Sequence, residues 1–289
     1  MCLLGSLFIV KKGVNLGNMN SINTKWVQDN VVPRKLDGHK KTFGHVLVVA
    51  GSEGKCGAAI LTARAALHNG CGMVTALVPK EAITPLLASN PEVMYATQGN
   101  MEGFDLSQFD SIAIGPGLGF SELAKFNLNY ILTHYNGPVI IDADALTLLV
   151  DQLHLLKSNH IITPHPREFA RLQGCDYVIS ERVAQANAFS KQHPSILVLK
   201  GKGTLVLAQN EMPMINTTGN DGLATAGSGD VLTGIIASLC AQGYTPFHAA
   251  CIGVFLHGLA GDIAIKHQSK ASLVASDIIT YLGQIRLID

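Results

Sequence analysis

From residue 40 onward the chain alternates short apolar runs rich in β-branched residues with longer helical patterns, and few folds accommodate that alternation. Strand, helix, strand is the βαβ unit; repeated, it builds a mostly parallel sheet with helices on both faces. The pattern predicts strands over residues 45–50, 73–78, 111–114, 138–141, 160–163, 196–199 and 204–207. Helices are expected over 58–69, 122–135, 181–192, 231–242 and 246–267, with residues 20–40 an arm or a first helix. Right-handed crossovers would then gather ligands outside the carboxyl ends of the strands. No repeat, low-complexity tract or Pro/Ser-rich linker interrupts the pattern, so residues 20–289 are expected to form one large α/β domain.

Composition narrows the class of ligand. Lys+Arg and Asp+Glu each total 21, so no net field draws the chain to nucleic acid or an anionic membrane, and a small-molecule partner is expected. The six cysteines show no CxxC pair and sit in apolar or glycine-rich runs, which predicts buried reduced thiols in a cytoplasmic protein. Leu3, Leu4, Leu7, Phe8, Ile9 and Val10 form an apolar patch too short to span a bilayer, and Lys11 and Lys12 follow it where a signal peptide carries its charges first. Met19 serves equally well as a start, which leaves the residues before it as a disordered or upstream extension.

Several glycine-rich segments directly follow predicted strands, where a functional loop belongs. They are Gly51-Ser-Glu-Gly-Lys-Cys-Gly57, Gly115-Pro-Gly-Leu-Gly119, Asp142-Ala-Asp144 and Thr163-Pro-His-Pro-Arg-Glu168. Gly54-Lys55 lacks the Ser/Thr and upstream Gly of a P-loop, and Gly115 to Phe120 lacks the last Gly of a dinucleotide fingerprint. The strongest signal is the run from Asn216 to Asp230, followed by Val231, Leu232, Ile235, Ile236 and Leu239 of an apolar helix. Small residues Gly227, Ser228 and Gly229 let backbone N–H groups approach an anion, and the helix adds its positive dipole end. A carboxylate there, Asp230, is placed to take a proton from a hydroxyl attacking a phosphoryl group. The competing reading of Asp230 is an N-cap residue, and the surrounding run weighs against it.

Taken together in order and spacing, several segments resemble the ADP/ATP-dependent (S)-NAD(P)H-hydrate dehydratase family. They are Gly44 to Ser52, Gly57-Ala-Ala59, Gly115 to Gly119, Asp142-Ala-Asp-Ala-Leu146, Thr163 to Pro166 with Glu168, Leu199 to Thr204, and Ala226-Gly-Ser-Gly-Asp-Val-Leu-Thr-Gly234. The likeness covers about residues 30–285. Arg167 and Asp221 depart from it, standing where the family often has Gly and Pro. The epimerase domain frequently fused in the family finds no match.

The resemblance implies a ribokinase-like three-layer α/β/α fold. It implies an enzyme that uses ADP or ATP, with Mg2+, to remove water from the S form of NADH hydrate or NADPH hydrate, with a separate epimerase acting on the same metabolite. Hydroxide leaves poorly, whereas a phosphate ester leaves readily when the ring nitrogen pushes electrons toward C6. The resemblance makes Asp230 the base and gives Ala58, Gly117, His165 and Asp230 to the hydrated dinucleotide. It gives Lys200, Gly201, Lys202, Gly203, Thr204 and Gly229 to the adenine nucleotide, Glu168 to magnesium through water, and the assembly to a homotetramer.

Simpler readings stand beside these. Gly117 can serve just to close a turn, Ala58 just to permit tight helix packing, and Lys202 can be a solvated charge. Asp142 and Asp144 read as helix caps ahead of metal ligands, and His257 as a packed helix residue. His165, pinned between Pro164 and Pro166, projects its ring at a strand end. Two rival functions remain: a small-molecule kinase of the same superfamily, and a nucleotide-binding module without catalysis.

Overall fold

A computed structural model of the chain describes residues 19–286; the apolar patch and the expected extension lie outside the described residues. Ten strands among them form one sheet: β1 (Asn20–Ile22), β2 (His45–Val49), β3 (Met73–Val78), β4 (Met94–Thr97), β5 (Ser111–Ile114), β6 (Val139–Ile141), β7 (His160–Ile162), β8 (Ile196–Leu199), β9 (Leu205–Leu207) and β10 (Met214–Asn216). Their order is β1-β10-β9-β8-β7-β6-β5-β2-β3-β4. β9 runs antiparallel to β8 and to β10, and every other pair is parallel. The helices are α1 (Thr24–Asn30), α2 (Cys56–His68), α3 (Lys80–Ser89), α4 (Glu122–His134), α5 (Asp144–Leu148), α6 (Pro166–Gln173), α7 (Arg182–Gln192), α8 (Ser228–Ala241), α9 (Pro246–Ala264) and α10 (Ala275–Leu282).

Strand side chains alternate between the two faces, and the core divides accordingly. Val46 and Val48 join the cluster formed with α2, α8, α9 and α10, while Leu47 and Val49 join the one formed with α4, α5, α6 and α7. Because β2 is buried on both faces, its sequence is a continuous apolar run without polar alternation. α9 is long and apolar enough to cross a membrane by length and composition. Here its residues fill the core, packed against α8 and α10. Cys71, Cys240 and Cys251 are buried free thiols, as expected, whereas the free thiol of Cys56 is half-buried.

All seven predicted strands are present with ends displaced by a residue at most. The pattern did not reveal β1, β4, β10, α3, α6 or α10. β4 is an edge strand whose Met94 and Tyr95 are exposed, so it lacks the buried run that marks its neighbours. α3 carries Pro85 inside it, and α6 opens on Pro166 within a segment that reads as a strand-end loop.

Strands β8, β7, β6, β5 and β2 are adjacent and parallel. Their carboxyl ends therefore carry the segments at 200–204, 163–168, 142–144, 115–119 and 51–57 side by side. This row, closed from one side by the start of α8, forms the site.

Candidate active site

α8 begins at Ser228, three residues before the predicted start, with Gly227 in the capping position. Gly227 has φ +84°, a conformation that disfavours a side chain, and a Cβ there would stand 2.5 Å from Leu61. Asp230 therefore lies in the first turn of α8, and its reading as an N-cap residue fails. No side chain caps this helix. Among the described residues the N–H groups of Gly229 and Asp230 find no protein acceptor. An uncapped first turn whose N–H groups face a cavity is an anion cradle. The apolar rest of α8, from Val231 to Ala241, is buried and holds the cradle rigid.

Two cavities meet at Asp230. The smaller, about 420 Å³, is lined by Lys55, Ala58, Leu61, Gly117, Asp144 and Asp230 among others. The larger, about 1060 Å³, takes in His165, Glu168, residues 200–204, Thr218, the cradle residues Ser228 and Gly229, Asp230 and His257. The expected dinucleotide residues thus divide: Ala58 and Gly117 share the smaller cavity with Asp230, whereas His165 shares the larger one with the expected nucleotide loop.

The floor is a buried charge network. Asp142, 1% exposed, accepts from the Lys200 ammonium at 2.8 Å and from the Thr233 hydroxyl at 2.8 Å. Lys200 also lies 3.9 Å from Glu168. Burial opposes its charge, yet Asp142 and Glu168 together hold its pKa above the usual value. Asp230 is pushed up to about 6, by burial first and then by the charge of Asp142, with Lys200 opposing. A Cβ on Gly229 would point at the Lys200 ammonium, 3.3 Å away, so this glycine leaves room for the network as well as for a ligand.

The aspartates of the 142–144 segment are not the helix caps expected of them. Asp142 takes the ion pair just described. Asp144 accepts from the Lys55 ammonium and from the Gly119 N–H, both at 2.9 Å, tying two strand-end loops together. Ala143 occupies the capping position of α5 at φ +50°, ψ −121°, strained for a residue with a Cβ. The strain lets the two flanking carboxylates point to different loops.

His165 is the N-cap of α6. Its Nδ1 accepts from the N–H groups of Arg167 and Glu168 at 3.1 and 3.2 Å, and Glu168 returns the bond by accepting from the His165 N–H at 2.7 Å. With Nδ1 an acceptor, Nε2 carries the ring proton, 3.4 Å from the other Glu168 oxygen. Burial raises the Glu168 pKa, against the pull of Lys200. Lys202 is exposed and lines the larger cavity.

Two contributions had no signal in the sequence pattern. Arg182, at the start of α7, donates to the carbonyls of Lys202 and Gly203 at 2.7 and 2.5 Å and so fixes the 200–204 loop. His257, read as a packed helix residue, lies on the larger cavity and contacts Ser228. Arg182 sits in a polar helix start, and only the fold brings it to the loop.

The sequence model of the NAD(P)H-hydrate dehydratase family matches residues 46–284. The ADP-dependent (S)-NAD(P)H-hydrate dehydratase of Neisseria meningitidis serogroup B is 41% identical over 256 residues, covering 85% of this chain and 86% of that protein. The chain spans about half the length of the bifunctional NAD(P)H-hydrate repair enzymes it also matches. Among solved structures, the ADP/ATP-dependent NAD(P)H-hydrate dehydratase of Bacillus subtilis, co-crystallized with ATP/Mg2+, superposes with a TM-score of 0.83 at 30% identity, over 92% of this chain and 97% of that one. The ribokinase of Thermotoga maritima, 15% identical, superposes with a TM-score of 0.55 over 83% of this chain and 99% of its own, a likeness of fold alone. The chain belongs to the NAD(P)H-hydrate dehydratase family, built on the ribokinase-like fold.

Proposed function

We propose that this chain removes water from the S form of NADH hydrate or NADPH hydrate, converting ADP to AMP or ATP to ADP and releasing phosphate. The observation that carries the reading is Asp230, a carboxylate in the uncapped first turn of α8 at the junction of two cavities. The junction is where the reacting ends of two ligands that exchange a phosphoryl group must meet, with Asp230 lining both cavities.

In this mechanism the hydrated ring lies in the smaller cavity, the remainder of the dinucleotide reaches His165 in the larger, and the adenine nucleotide lies in the larger along residues 200–204. Asp230 accepts the proton of the C6 hydroxyl as that oxygen attacks the terminal phosphorus, whose bond to the bridging oxygen breaks. The N–H groups of Gly229 and Asp230 hold the charge on the transferring group. The phosphate ester then leaves with its C–O electron pair as the ring nitrogen donates its lone pair, and loss of a ring proton restores the dihydronicotinamide.

Magnesium accompanies the nucleotide in this reading. Among the described residues no three His, Cys, Asp or Glu groups gather as a metal cage, and the wall carboxylates Asp142 and Glu168 are engaged by protein donors. Such a donor set fits an ion carried on phosphate oxygens and its own waters, met by Glu168 through water. Bound there, it would neutralise phosphate charge.

Incubating the protein with NADH hydrate and following the return of NADH absorbance on adding ADP or ATP is the direct test. Stoichiometric binding without turnover would favour the non-catalytic module, and phosphorylation of an alcohol without elimination the kinase.

Two variants divide the ligands. His165→Ala is expected to raise the KM for NADH hydrate about two- to twelvefold, one ordinary hydrogen bond, with the KM for ADP or ATP nearly unchanged. A rise confined to the nucleotide would move His165 to the other ligand. Arg182→Ala frees the 200–204 loop, and the KM for ADP or ATP should rise about tenfold while that for NADH hydrate stays put. An equal shift in both constants would reduce Arg182 to a stabilising contact.

A further inference from the structure

α9 lines part of the larger cavity through Val254, His257 and Gly258. Its Val254 and Phe255 carbonyls accept from Asn216 at 3.0 Å and Thr218 at 2.8 Å, and Asp262 accepts from the Gly219 N–H and the Asn220 amide at 2.8 and 2.9 Å. The close approach depends on Gly258 and Gly261, where a Cβ would strike Thr218 and Leu223. The helix thus carries the 216–220 loop on these residues, and with His257 it reaches the cradle on α8.

The His257 Nε2 lies 3.0 Å from the Ser228 carbonyl oxygen and 3.1 Å from the Ser228 Oγ. A carbonyl oxygen accepts and never donates, so Nε2 bears the ring proton. Burial pushes the imidazole pKa down to about 4, which leaves the ring a neutral donor near pH 7. The Ser228 Oγ, facing that N–H, shares it as an acceptor, and its own hydrogen must turn elsewhere. Ser228 is buried and lines the larger cavity beside Gly229 and Asp230, which leaves the cavity open to that O–H.

We infer that His257 is a positioning residue of the phosphoryl cradle: by donating to both oxygens of Ser228 it fixes the serine O–H as a further donor to the transferring group. This rests on the reading of the cradle given above. A histidine kept solely for packing would not need its ring nitrogen on the residue next to the cradle's first free N–H.

The test is a double-mutant cycle on the full chain, with kcat and the KM for ADP and NADH hydrate measured in each variant. Ser228→Ala should lower kcat about 10²-fold, as loss of one donor to developing charge does. His257→Leu, which keeps bulk but cannot donate, should lower kcat by at least tenfold. His257→Gln retains an N–H and should recover most of that loss. Ser228→Ala combined with His257→Leu should be no slower than Ser228→Ala alone, and the KM for NADH hydrate should not move. Additive losses in the cycle, parental kcat in His257→Leu, or equal loss in His257→Leu and His257→Gln would each overturn the inference. Asp230→Asn separates the two levels: if that variant still turns over, the cradle reading itself fails. If it is inactive while His257→Leu runs at the parental rate, only the role of His257 falls.

Discussion

Asp230→Asn is expected to fold and bind nucleotide while losing about 10²–10⁴-fold in kcat, the usual worth of a general base. Asn keeps the size of the side chain but cannot take a proton. Parental turnover in this variant would remove Asp230 from the proton transfer. The raised pKa, about 6, gives two further signatures. In the parent, kcat/KM should fall as pH drops through about 6, because the base is then protonated, and the residual activity of Asp230→Asn should lack that limb. For stability the sign is opposite to that of a salt-bridged acid. A carboxyl whose pKa is raised in the folded state favours folding at low pH, and this contribution is lost as pH rises from the ordinary value of 3.8 through about 6. Asp230→Asn escapes the loss, so its melting temperature relative to the parent should climb between pH 4 and pH 6 and stay level above. A difference independent of pH would mean that Asp230 is not held in a desolvated site.

Lys200→Met should cost about 3 kcal/mol of stability, because it strands the buried carboxylate of Asp142 with the Thr233 hydroxyl as its remaining side-chain partner. For a chain of this size that is a fall of roughly 6–12 °C in Tm. Adding Asp142→Asn removes the stranded charge, and the pair of substitutions should recover most of the lost stability, since replacing both members of a buried ion pair is commonly close to neutral. Thermal unfolding of the parent, the single variant and the double variant decides it. A double variant as unstable as Lys200→Met alone would show that the lysine acts through packing of its stem. Nucleotide binding should stay weak in both variants, because the ammonium also lies at the cavity wall beside Gly229.

The paired stability and activity results bear on how the site is held. Ala143 is strained, yet it sits between Asp142 on the buried network and Asp144 on the Lys55 and Gly119 contacts. Two anchored carboxylates over-determine the residue between them, which is the condition under which strain persists. The Asp142–Thr233 bond ties this strand end to α8, the helix that carries Asp230, with no need for the 142–144 segment to cap a helix.

Sequence alone determined the parallel core of the sheet, because strands buried on both faces must be continuous apolar runs: Val46 to Val49, Ile112 to Ile114 and Leu197 to Leu199 have no solvated face to encode. It also determined the cradle and its carboxylate, since Gly227, Ser228, Gly229 and Asp230 are contiguous and small residues are the local requirement for exposing N–H groups. Edge strand β4, whose side chains face water, and helix α6, opened by a proline, carry no such signature. What only the tertiary structure decided are relations between segments far apart in the chain. Lys200 meets Asp142 across 58 positions, Asp142 meets Thr233 across 91, and His257 meets Ser228 across 29. No partner's own segment names the residue that it meets. Its role arises when sheet order sets β8, β7 and β6 side by side and α9 lies against α8, because pairing and burial, and with them the shifted proton affinity of Asp230, are properties of the packed arrangement and have no local pattern to announce them.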